Sequence, residues 1–435
     1  GRNFECYSED PELSSALTVG YIQGLQNKGV SATLKHFIGN ESEIERTTIS
    51  SEIDERSLRE VYLRPFEDAV KKAGTWGIMS SYNKINGTYT AENKWLLNDI
   101  LRDEWGYDGI VMSDWYGSRT TAPTVNAGLD LEMPGPTRDR GDMLIAEVEN
   151  GTVSRDTIRD RALNILRLME RVGSLDDHRT WTEIADNRPE HRALIRRAGA
   201  AGAVLLKNDG ILPLAPPKGK IAVIGPNAKV AQIMGGGSAQ LNPHYRVSPW
   251  DGLVDRFGPE GLLYAEGVNN HRWEPVLTSG LTVEFFDNED LSGTPVHKDT
   301  LDVSNAFWTE GVADGKVDLS HFSARVTGSF TATDAGPHSF GIHAAALARL
   351  YVDGDLIVDV WDNWTKGRTF FEEGCDEVTA LLDLAQGQTV SIVMDLRTKP
   401  ADNLQATGFR FGVSRPLGDS DIADAAKQAA QAETA

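Results

Sequence analysis

The stretch Gly109-Ile110-Val111-Met112-Ser113-Asp114-Trp115 leads from a short apolar strand to a carboxylate with an indole beside it. Barrels of alternating strands and helices place their reactive groups at the carboxyl ends of buried parallel strands, and Asp114 stands at such an end. An aspartate beside a flat aromatic ring also suits a sugar, which offers an electrophilic anomeric carbon and an apolar face. The alternative is that Asp114 only caps the next helix, so the assignment depends on the rest of the chain.

Apolar runs and amphipathic helices alternate through the first 173 residues. Strands are predicted at residues 32–37, 77–82, 109–112 and 128–133, and helices at residues 11–27, 55–73, 94–104 and 154–171. This alternation is typical of parallel βαβ units, and therefore of the α/β class. About four units are visible, whereas a closed (β/α)8 barrel needs eight strands. We therefore expect residues 1–173 to be the C-terminal half of a TIM-type barrel, with the other half preceding Gly1.

Four segments of different sequence pattern follow the predicted barrel. Residues 174–191 are polar and are predicted to be an interdomain linker, and residues 192–280 are predicted to start a second α/β sandwich domain. Residues 281–415 consist of short alternating segments separated by turn residues such as Asp353-Gly354, which predicts an inserted all-β sandwich. The α/β pattern returns at residues 416–435, where we expect the interrupted domain to resume and to be truncated.

Composition limits the classes of partner. The 435 residues suit two or three domains, and apolar and charged fractions of 40% and 25% are those of a soluble globular protein. A formal charge of −21 argues against nucleic acid and anionic membranes as partners, because both repel an acidic surface. No stretch is apolar over a length that would span a bilayer. A neutral substrate such as a sugar fits this charge, and a homo-oligomer is compatible with it.

The two cysteines bear on metal binding and localisation. Cys6 and Cys375 lie far apart and outside any metal-ligand spacing, so neither a disulfide framework nor a metal site is predicted. Their small number favours a reducing, cytoplasmic compartment. The chain starts without Met or a signal peptide, and both ends are interpreted as cuts through a larger protein. Secretion therefore stays open.

Other polar side chains stand at predicted strand ends, as Asp114 does. They are Arg2 at the start of the chain, Lys35 and His36 after the first strand, and Tyr82 in the run Met79-Ser80-Ser81-Tyr82-Asn83. Each has an ordinary structural explanation: a surface ion pair for Lys35, a loop position for His36 and a core position for Tyr82. Because parallel strands end on one face of a barrel, we expect these residues to form a hydroxyl-binding pocket around Asp114.

In order along the chain, the motifs resemble those of the glycoside hydrolase family 3 β-glucosidases. The matching runs are Gly1-Arg2-Asn3-Phe4-Glu5, Lys35-His36-Phe37, Met79-Ser80-Ser81-Tyr82-Asn83, Gly109 to Trp115, Gly128-Leu129-Asp130-Leu131-Glu132-Met133, Val204-Leu205-Leu206-Lys207-Asn208 and Ile221 to Pro226. The resemblance covers most of the chain. The predicted insertion at residues 281–415 is similar to the protective-antigen-type module that some members of this family carry.

The resemblance implies a retaining, exo-acting β-glucosidase without metal or cofactor. Asp114 would be the nucleophile that forms a covalent glycosyl intermediate with terminal non-reducing β-D-glucosyl residues. The residues that match sugar-binding positions are Arg2, Lys35 and His36, and those that shape the pocket at the anomeric carbon are Met79, Tyr82 and Trp115. A nucleophilic carboxylate must be ionised, and nearby Lys35 and Arg2 are expected to lower the pKa of Asp114.

The acid/base residue has no match in this chain. A retaining mechanism needs a second carboxyl group about 5–5.5 Å from the nucleophile. In the family this is a glutamate that follows the inserted module, so the resemblance places it beyond residue 435. Glu41 and Glu132 are the alternative carboxyl groups within this chain, but neither matches the acid/base position of the family.

Other activities stay open within and outside the family. β-Xylosidase or β-galactosidase specificity is the near alternative, and a catalytically inert carbohydrate-binding protein is the alternative from another class. The N-acetylglucosaminidases of the family carry a His/Asp pair in the loop after the Lys-His run. That loop reads Gly39-Asn40-Glu41-Ser42-Glu43 here, which disfavours this subfamily.

Overall fold

The computed structural model describes residues 3–177, 182–214, 219–234, 241, 243–278, 280–309, 311–401 and 405–432. The chain divides into two units, residues 1–202 with 234–244 and residues 203–233 with 245–435. The predicted sugar-binding residue Arg2 and part of the predicted linker, residues 178–181, lie outside the described residues. Helices and sheets occur in both units, so the predicted α/β content is confirmed.

Two small sheets form the framework of the first unit. Its strands are β1 (Thr33–Phe37), β2 (Ser50–Ser51), β3 (Gly77–Ser80), β4 (Lys84–Ile85), β5 (Thr88–Tyr89) and β6 (Ile110–Met112). β1, β3 and β6 lie side by side in that order and are all parallel, while β2, β4 and β5 form a separate three-stranded sheet. The carboxyl ends of β1, β3 and β6 therefore meet at one edge.

Helices follow the strands of the first unit. They are α1 (Pro11–Gln26), α2 (Glu55–Ser57), α3 (Arg64–Lys71), α4 (Ala122–Ala127), α5 (Asp142–Glu149), α6 (Arg155–Arg171) and α7 (Pro189–Gly202), with π-helices at Leu58–Tyr62 and Trp95–Glu104 and 3₁₀ turns at Asn3–Glu5 and Thr90–Glu92. The side chain of Asp10 accepts hydrogen bonds from the first turn of α1, and Ser154 does the same for α6. Both helices were predicted from the sequence and are confirmed.

Two predicted elements of the first unit differ from the structure. The predicted helix at residues 55–73 is interrupted at Leu63, because Pro65 has no N–H for the helical ladder and its ring crowds the preceding turn. The predicted strand at residues 128–133 makes only one bridge, between Leu131 and Met112. The carboxylate of Asp130 takes the Val111 N–H that a regular parallel strand would have bonded.

The core of the first unit lies between the parallel sheet and the helices. Phe37, Leu58, Ile78, Leu97 and Val111 are all completely buried in it. Burying a side chain of this size contributes about 1.5–3 kcal/mol. β3 is therefore held by hydrogen bonds to a strand on each side, and all three strands that lead to the candidate site are held by packing against the helices.

The second unit begins as an α/β structure. β7 (Ile221–Ile224) and β8 (Leu262–Ala265) are parallel, and 3₁₀ turns at Pro226–Ala228 and Pro259–Gly261 and the helix α8 (Pro249–Phe257) connect them. The last helix, α9 (Asp419–Gln431), packs on both strands. Ala425 of α9 is buried, and its Cβ lies 3.4 Å from the point where Gly267 would carry a Cβ. α9 thus packs on strands that lie far before it in the sequence.

The described strands between residues 281 and 414 form two antiparallel sheets. The strands are β9 (Leu281–Phe286), β10 (His297–Leu301), β11 (Asn305–Trp308), β12 (Ser323–Thr331), β13 (Gly336–Ala345), β14 (Leu347–Val352), β15 (Asp355–Val360), β16 (Val378–Leu384), β17 (Thr389–Arg397) and β18 (Thr407–Ser414), with 3₁₀ turns at Val312–Gly315 and Phe370–Glu372. One sheet has the order β10-β9-β12-β17-β14-β15 and the other β11-β18-β13-β16. Phe322, Phe340 and Phe409 are among the completely buried side chains of their common core.

The turn predicted at Asp353-Gly354 joins β14 to β15. Both residues have positive φ, 50° and 90°, as a two-residue hairpin of type I′ requires. The tryptophans of this region pack against protein groups. Trp308 and Trp364 pack against the core. The ring centre of Trp361 lies 5.1 Å from the guanidinium carbon of Arg349 and 4.9 Å from that of Arg397. Among the described helices, none is long and apolar enough to cross a lipid bilayer.

Candidate active site

The parallel sheet brings three of the predicted site residues together. His36 belongs to β1, Tyr82 follows β3 and Asp114 follows β6, and these strands are neighbours. The Nε2 atom of His36 lies 3.3 Å from Oδ2 of Asp114, and the Tyr82 hydroxyl is hydrogen-bonded to the same carboxylate. Convergence of these side chains follows from the shared direction of the strands, since parallel strands end at the same edge.

The backbone around Asp114 holds the carboxylate in place. The Trp115 N–H donates to Oδ1 of Asp114 at 2.7 Å, and the Gly117 N–H donates to the Asp114 carbonyl oxygen at 2.9 Å. The next helix, α4, begins at Ala122 with Thr121 at its N-cap position. The alternative that Asp114 serves as the cap of the following helix is therefore wrong.

Burial raises the pKa of the Asp114 carboxyl above its ordinary value. Hydrogen bonds from the Trp115 N–H and the Tyr82 hydroxyl act in the opposite direction, and so do the charges of Lys35 and Arg46, because all four favour the ionised form. The charge of Lys35 therefore lowers the pKa of Asp114, as expected, but desolvation raises it by more. The net shift of this pKa is upward. The Asp114 carboxylate is therefore fixed in position by hydrogen bonds but poorly solvated.

Lys35 has a second partner near the start of the chain. Its Nζ atom lies 3.6 Å from Oε2 of Glu5, and 37% of the Lys35 side chain is exposed. The surface ion pair considered as an ordinary explanation therefore exists, and it links the 3₁₀ turn Asn3–Glu5 to β1. The ammonium group acts on Asp114 through its charge.

Met79 and Trp115 occupy contrasting positions. Met79 is half-buried in β3, where it pairs with Met112 of β6. Trp115 is 58% exposed, which leaves much of its indole surface open to a ligand. An exposed indole next to a buried carboxylate can provide an apolar surface for a sugar or an aromatic group.

The loop after β1 is tied to the loop after β3. The amide nitrogen of Asn83 donates to the carbonyl oxygens of Ile38 and Gly39 at 3.2 and 3.0 Å, and the Ile38 N–H donates to the Ser81 hydroxyl at 3.1 Å. Asn83 and Ser81 are both buried. These bonds hold the residues on either side of Tyr82 against the chain that follows His36.

A buried ionic cluster lies beneath β6. The carboxylate of Asp130 is completely buried and contacts Arg102 at 2.6 Å and Arg161 at 3.3 Å, and it accepts hydrogen bonds from Asn164 at 2.9 Å and the Val111 N–H at 2.7 Å. Desolvation raises the pKa of Asp130, and both arginines oppose that shift. Since Val111 is three residues before Asp114, this cluster anchors the strand that carries the candidate nucleophile.

Comparison with known proteins identifies the family. The model of the glycosyl hydrolase family 3 N terminal domain matches residues 1–168, and the model of the C-terminal domain of the same family matches residues 203–435. The chain belongs to glycosyl hydrolase family 3.

Individual relatives and solved structures agree with this assignment. A β-glucosidase from Rhizobium radiobacter is 52% identical to this family 3 chain over 100% of the chain and 53% of the relative, and a probable β-glucosidase I from Aspergillus niger is 41% identical over 99% and 55%. The crystal structure of a β-glucosidase from Kluyveromyces marxianus in complex with glucose has a TM-score of 0.91 at 34% identity, over 99% of this chain and 55% of that one. The family 3 chain thus spans about half the length of these proteins.

Two residues of the site were not predicted from the sequence. Arg46 has its Cζ atom 5.1 Å from the centre of the Tyr82 ring and acts on Asp114 through its charge, and Glu5 holds Lys35. A basic residue in the loop after Lys35-His36 was a usable signal for Arg46. Among the described residues, no group of three or more His, Cys, Asp or Glu side chains is arranged to hold a metal ion.

Proposed function

We propose that the full-length protein is a retaining, exo-acting β-glucosidase in which Asp114 is the nucleophile. The observation that carries the proposal is the Asp114 carboxylate at a parallel strand end, 3.3 Å from His36 and hydrogen-bonded by Tyr82. The β-glucosidase names of the relatives support this activity, and the glucose complex of the Kluyveromyces marxianus enzyme supports a glucoside as substrate.

In the proposed first step, the Asp114 carboxylate attacks the anomeric carbon. A bond forms between its oxygen and that carbon, and the bond to the leaving-group oxygen breaks. A second carboxyl group protonates the departing oxygen. In the second step, that group takes a proton from water, whose oxygen displaces Asp114 and releases glucose.

The acid/base group of this mechanism is proposed to lie outside this chain. The carboxylate of Glu132 is engaged by the hydroxyl of Thr137 at 2.5 Å and by the N–H groups of Arg138 and Asp139 at 3.1 and 2.9 Å. It therefore holds a turn and has little capacity left to exchange protons with a substrate. This geometry supports the absence of a role for Glu132 in catalysis.

Substrate binding is proposed to use the side chains around Asp114. Charged and polar groups suit hydroxyls, which applies to Lys35, His36 and Arg46. Arg2, which lies outside the described residues, is proposed as a further sugar-binding residue from the family resemblance alone. Apolar surface suits the faces of the sugar ring, and Met79 and Trp115 would provide such surface. Tyr82, which binds Asp114, would lie beside the anomeric carbon. Hydrogen bonds to sugar hydroxyls discriminate strongly against substrates that lack them.

The domain organisation of the chain is also a proposal. We propose residues 1–173 as half of a TIM-type barrel, residues 174–191 as a linker, and residues 192–280 and 416–435 as parts of one α/β sandwich domain. Residues 281–415 would be an inserted protective-antigen-type module. The packing of α9 on β7 and β8 supports an insertion, because it joins chain segments on either side of the two antiparallel sheets.

Hydrolysis of aryl glycosides by the full-length protein tests the proposed function. Release of the aryl group from a β-glucoside is expected, and Asp114→Ala is expected to lower kcat more than about 1000-fold, as removal of a catalytic nucleophile does. Asp108→Ala is the matched control, since this carboxylate lies in the same segment but pairs on the surface with Arg171. Faster turnover of a β-xyloside or β-galactoside would favour those specificities, and glucose binding without any turnover would favour an inert binding protein.

A further inference from the structure

The loop after Asp114 depends on another segment for support. Its internal bonds are those from the N–H groups of Trp115 and Gly117 to Asp114. Tyr116, between them, has a φ of 59°, a conformation that residues other than glycine rarely adopt. A loop that contains such a residue keeps its shape only when its surroundings hold it.

Arg138 holds this loop from outside. Its Nη2 atom donates to the carbonyl oxygens of Tyr116, at 3.3 Å, and Ser118. Asp139 accepts from both Nε and Nη2 of the same guanidinium, at 3.2 and 2.9 Å, and so orients its plane. The Met133 carbonyl oxygen, two residues beyond the bridge at Leu131, accepts from the Tyr116 N–H at 2.9 Å.

The turn that carries Arg138 is itself fixed by Glu132. One carboxylate oxygen of Glu132 accepts from the N–H groups of Arg138 and Asp139, and the other accepts from the Thr137 hydroxyl. The contacts therefore form a continuous series from Glu132 through the Arg138 guanidinium to the carbonyl groups on either side of Gly117. Charge-assisted hydrogen bonds of this kind are among the stronger ones in proteins.

We propose that Arg138 is a positioning residue that fixes Trp115 beside Asp114 and thereby contributes to substrate binding. The proposal rests on the proposed glucosidase function and extends it to a residue that does not touch the reacting atoms. An exposed indole contributes more to binding when it is already held in one orientation, because ordering it at the moment of binding costs conformational entropy. Arg138 supplies that order through the backbone of the loop.

Arg140 provides a matched control in the same segment. Its guanidinium donates to the carbonyl oxygens of Asp130 and Leu129 at 2.7 and 2.8 Å, and not to the loop that carries Trp115. Arg138→Met in the full-length protein is expected to raise KM for an aryl β-glucoside about tenfold, equivalent to about 1.4 kcal/mol, with kcat nearly unchanged. Arg140→Met is expected to lower thermal stability and leave KM unchanged. Arg138→Lys, which keeps the charge, is expected to recover part of the loss.

Fluorine NMR gives a readout that does not depend on activity. In full-length protein labelled with 5-fluorotryptophan, Trp115→Phe identifies the Trp115 resonance. Arg138→Met is expected to shift or broaden this resonance, whereas Arg140→Met is expected to leave it in place.

The outcomes separate this inference from the proposed function. If no glycoside is hydrolysed, the glucosidase proposal fails while the fluorine spectra still test the positioning of Trp115. An unchanged Trp115 resonance in Arg138→Met overturns the positioning role, and a shifted resonance with unchanged KM overturns the contribution to binding. If all tryptophan resonances of Arg138→Met change together, the variant is misfolded, and Arg138→Gln, which also removes the charge, takes its place under the same criteria.

Discussion

Replacing Asp130 by alanine leaves two buried guanidinium groups without their carboxylate. The Asp130 side chain is completely buried, and the side chains of Arg102 and Arg161 are only 12% and 13% exposed. Removing one partner of a buried ion pair costs about 3–5 kcal/mol, because the remaining charge stays desolvated. For a unit of about 200 residues, 1 kcal/mol shifts the melting temperature by about 2–4 °C, so a fall of roughly 10 °C is expected.

The ion pair between Asp108 and Arg171 is the matched control. Its oxygen and nitrogen are also 2.6 Å apart, but 61% of the Asp108 side chain is exposed. Surface pairs contribute about 0–1 kcal/mol, so Asp108→Ala is expected to lower the melting temperature by less than about 4 °C.

Calorimetric scans of the full-length protein at one scan rate would compare the two variants with the parent. Asp130→Asn, which keeps the shape and an acceptor for the Val111 N–H, is expected to fall between Asp130→Ala and the parent. Equal shifts in Asp130→Ala and Asp108→Ala would refute the reasoning, since distance and not burial would then set the energy. A shift of less than 3 °C in Asp130→Ala would refute it as well.

Two further predictions concern the ionisation of Asp114. Tyr82→Phe removes a donor to the ionised carboxylate, so the acid limb of the pH profile of kcat/KM is expected to move to higher pH; an unmoved or lowered limb would contradict this. Because the pKa of Asp114 is raised in the folded state, ionising this carboxyl lowers the free energy of unfolding. The full loss applies at pH values above the folded-state pKa, and no loss applies below the unfolded-state pKa of about 3.9. Asp114→Asn is therefore expected to melt at a higher temperature than the parent at neutral pH, with a difference that shrinks as the pH falls. Melting curves across pH check this, and a variant less stable at neutral pH would show that the charge is stabilising.

The parallel strands and the residues at their ends were predictable because they depend on local pattern. Alternation of apolar runs and amphipathic helices predicts β1, β3 and β6, and parallel strands bring His36 and Asp114 to one edge whatever the details of packing. The hairpin at Asp353-Gly354 was predictable for a similar reason, since few residue pairs adopt positive φ twice in succession.

The parts that could not be predicted depend on contacts between residues distant in sequence. The carboxylate of Asp130 replaces a backbone partner of Val111, which turns a predicted strand into a single bridge. The raised pKa of Asp114 could not be predicted for the same reason. The sequence shows Lys35 as a neighbouring cation that lowers this pKa, but the burial that raises it by more follows only from the packed structure. Arg46 stacks on Tyr82 across a loop whose course no periodicity defines.

Trapping the covalent intermediate tests the assignment of Asp114 most directly. A 2-deoxy-2-fluoro-β-glucoside with a good leaving group is expected to react with the full-length protein and to remain attached, because the fluorine slows the second displacement. Digestion and mass spectrometry are expected to find the fluoroglucosyl group on Asp114, and Asp114→Ala is expected to remain unlabelled. A label on another carboxylate, or turnover of the same compound class with inversion at the anomeric carbon, would contradict the account.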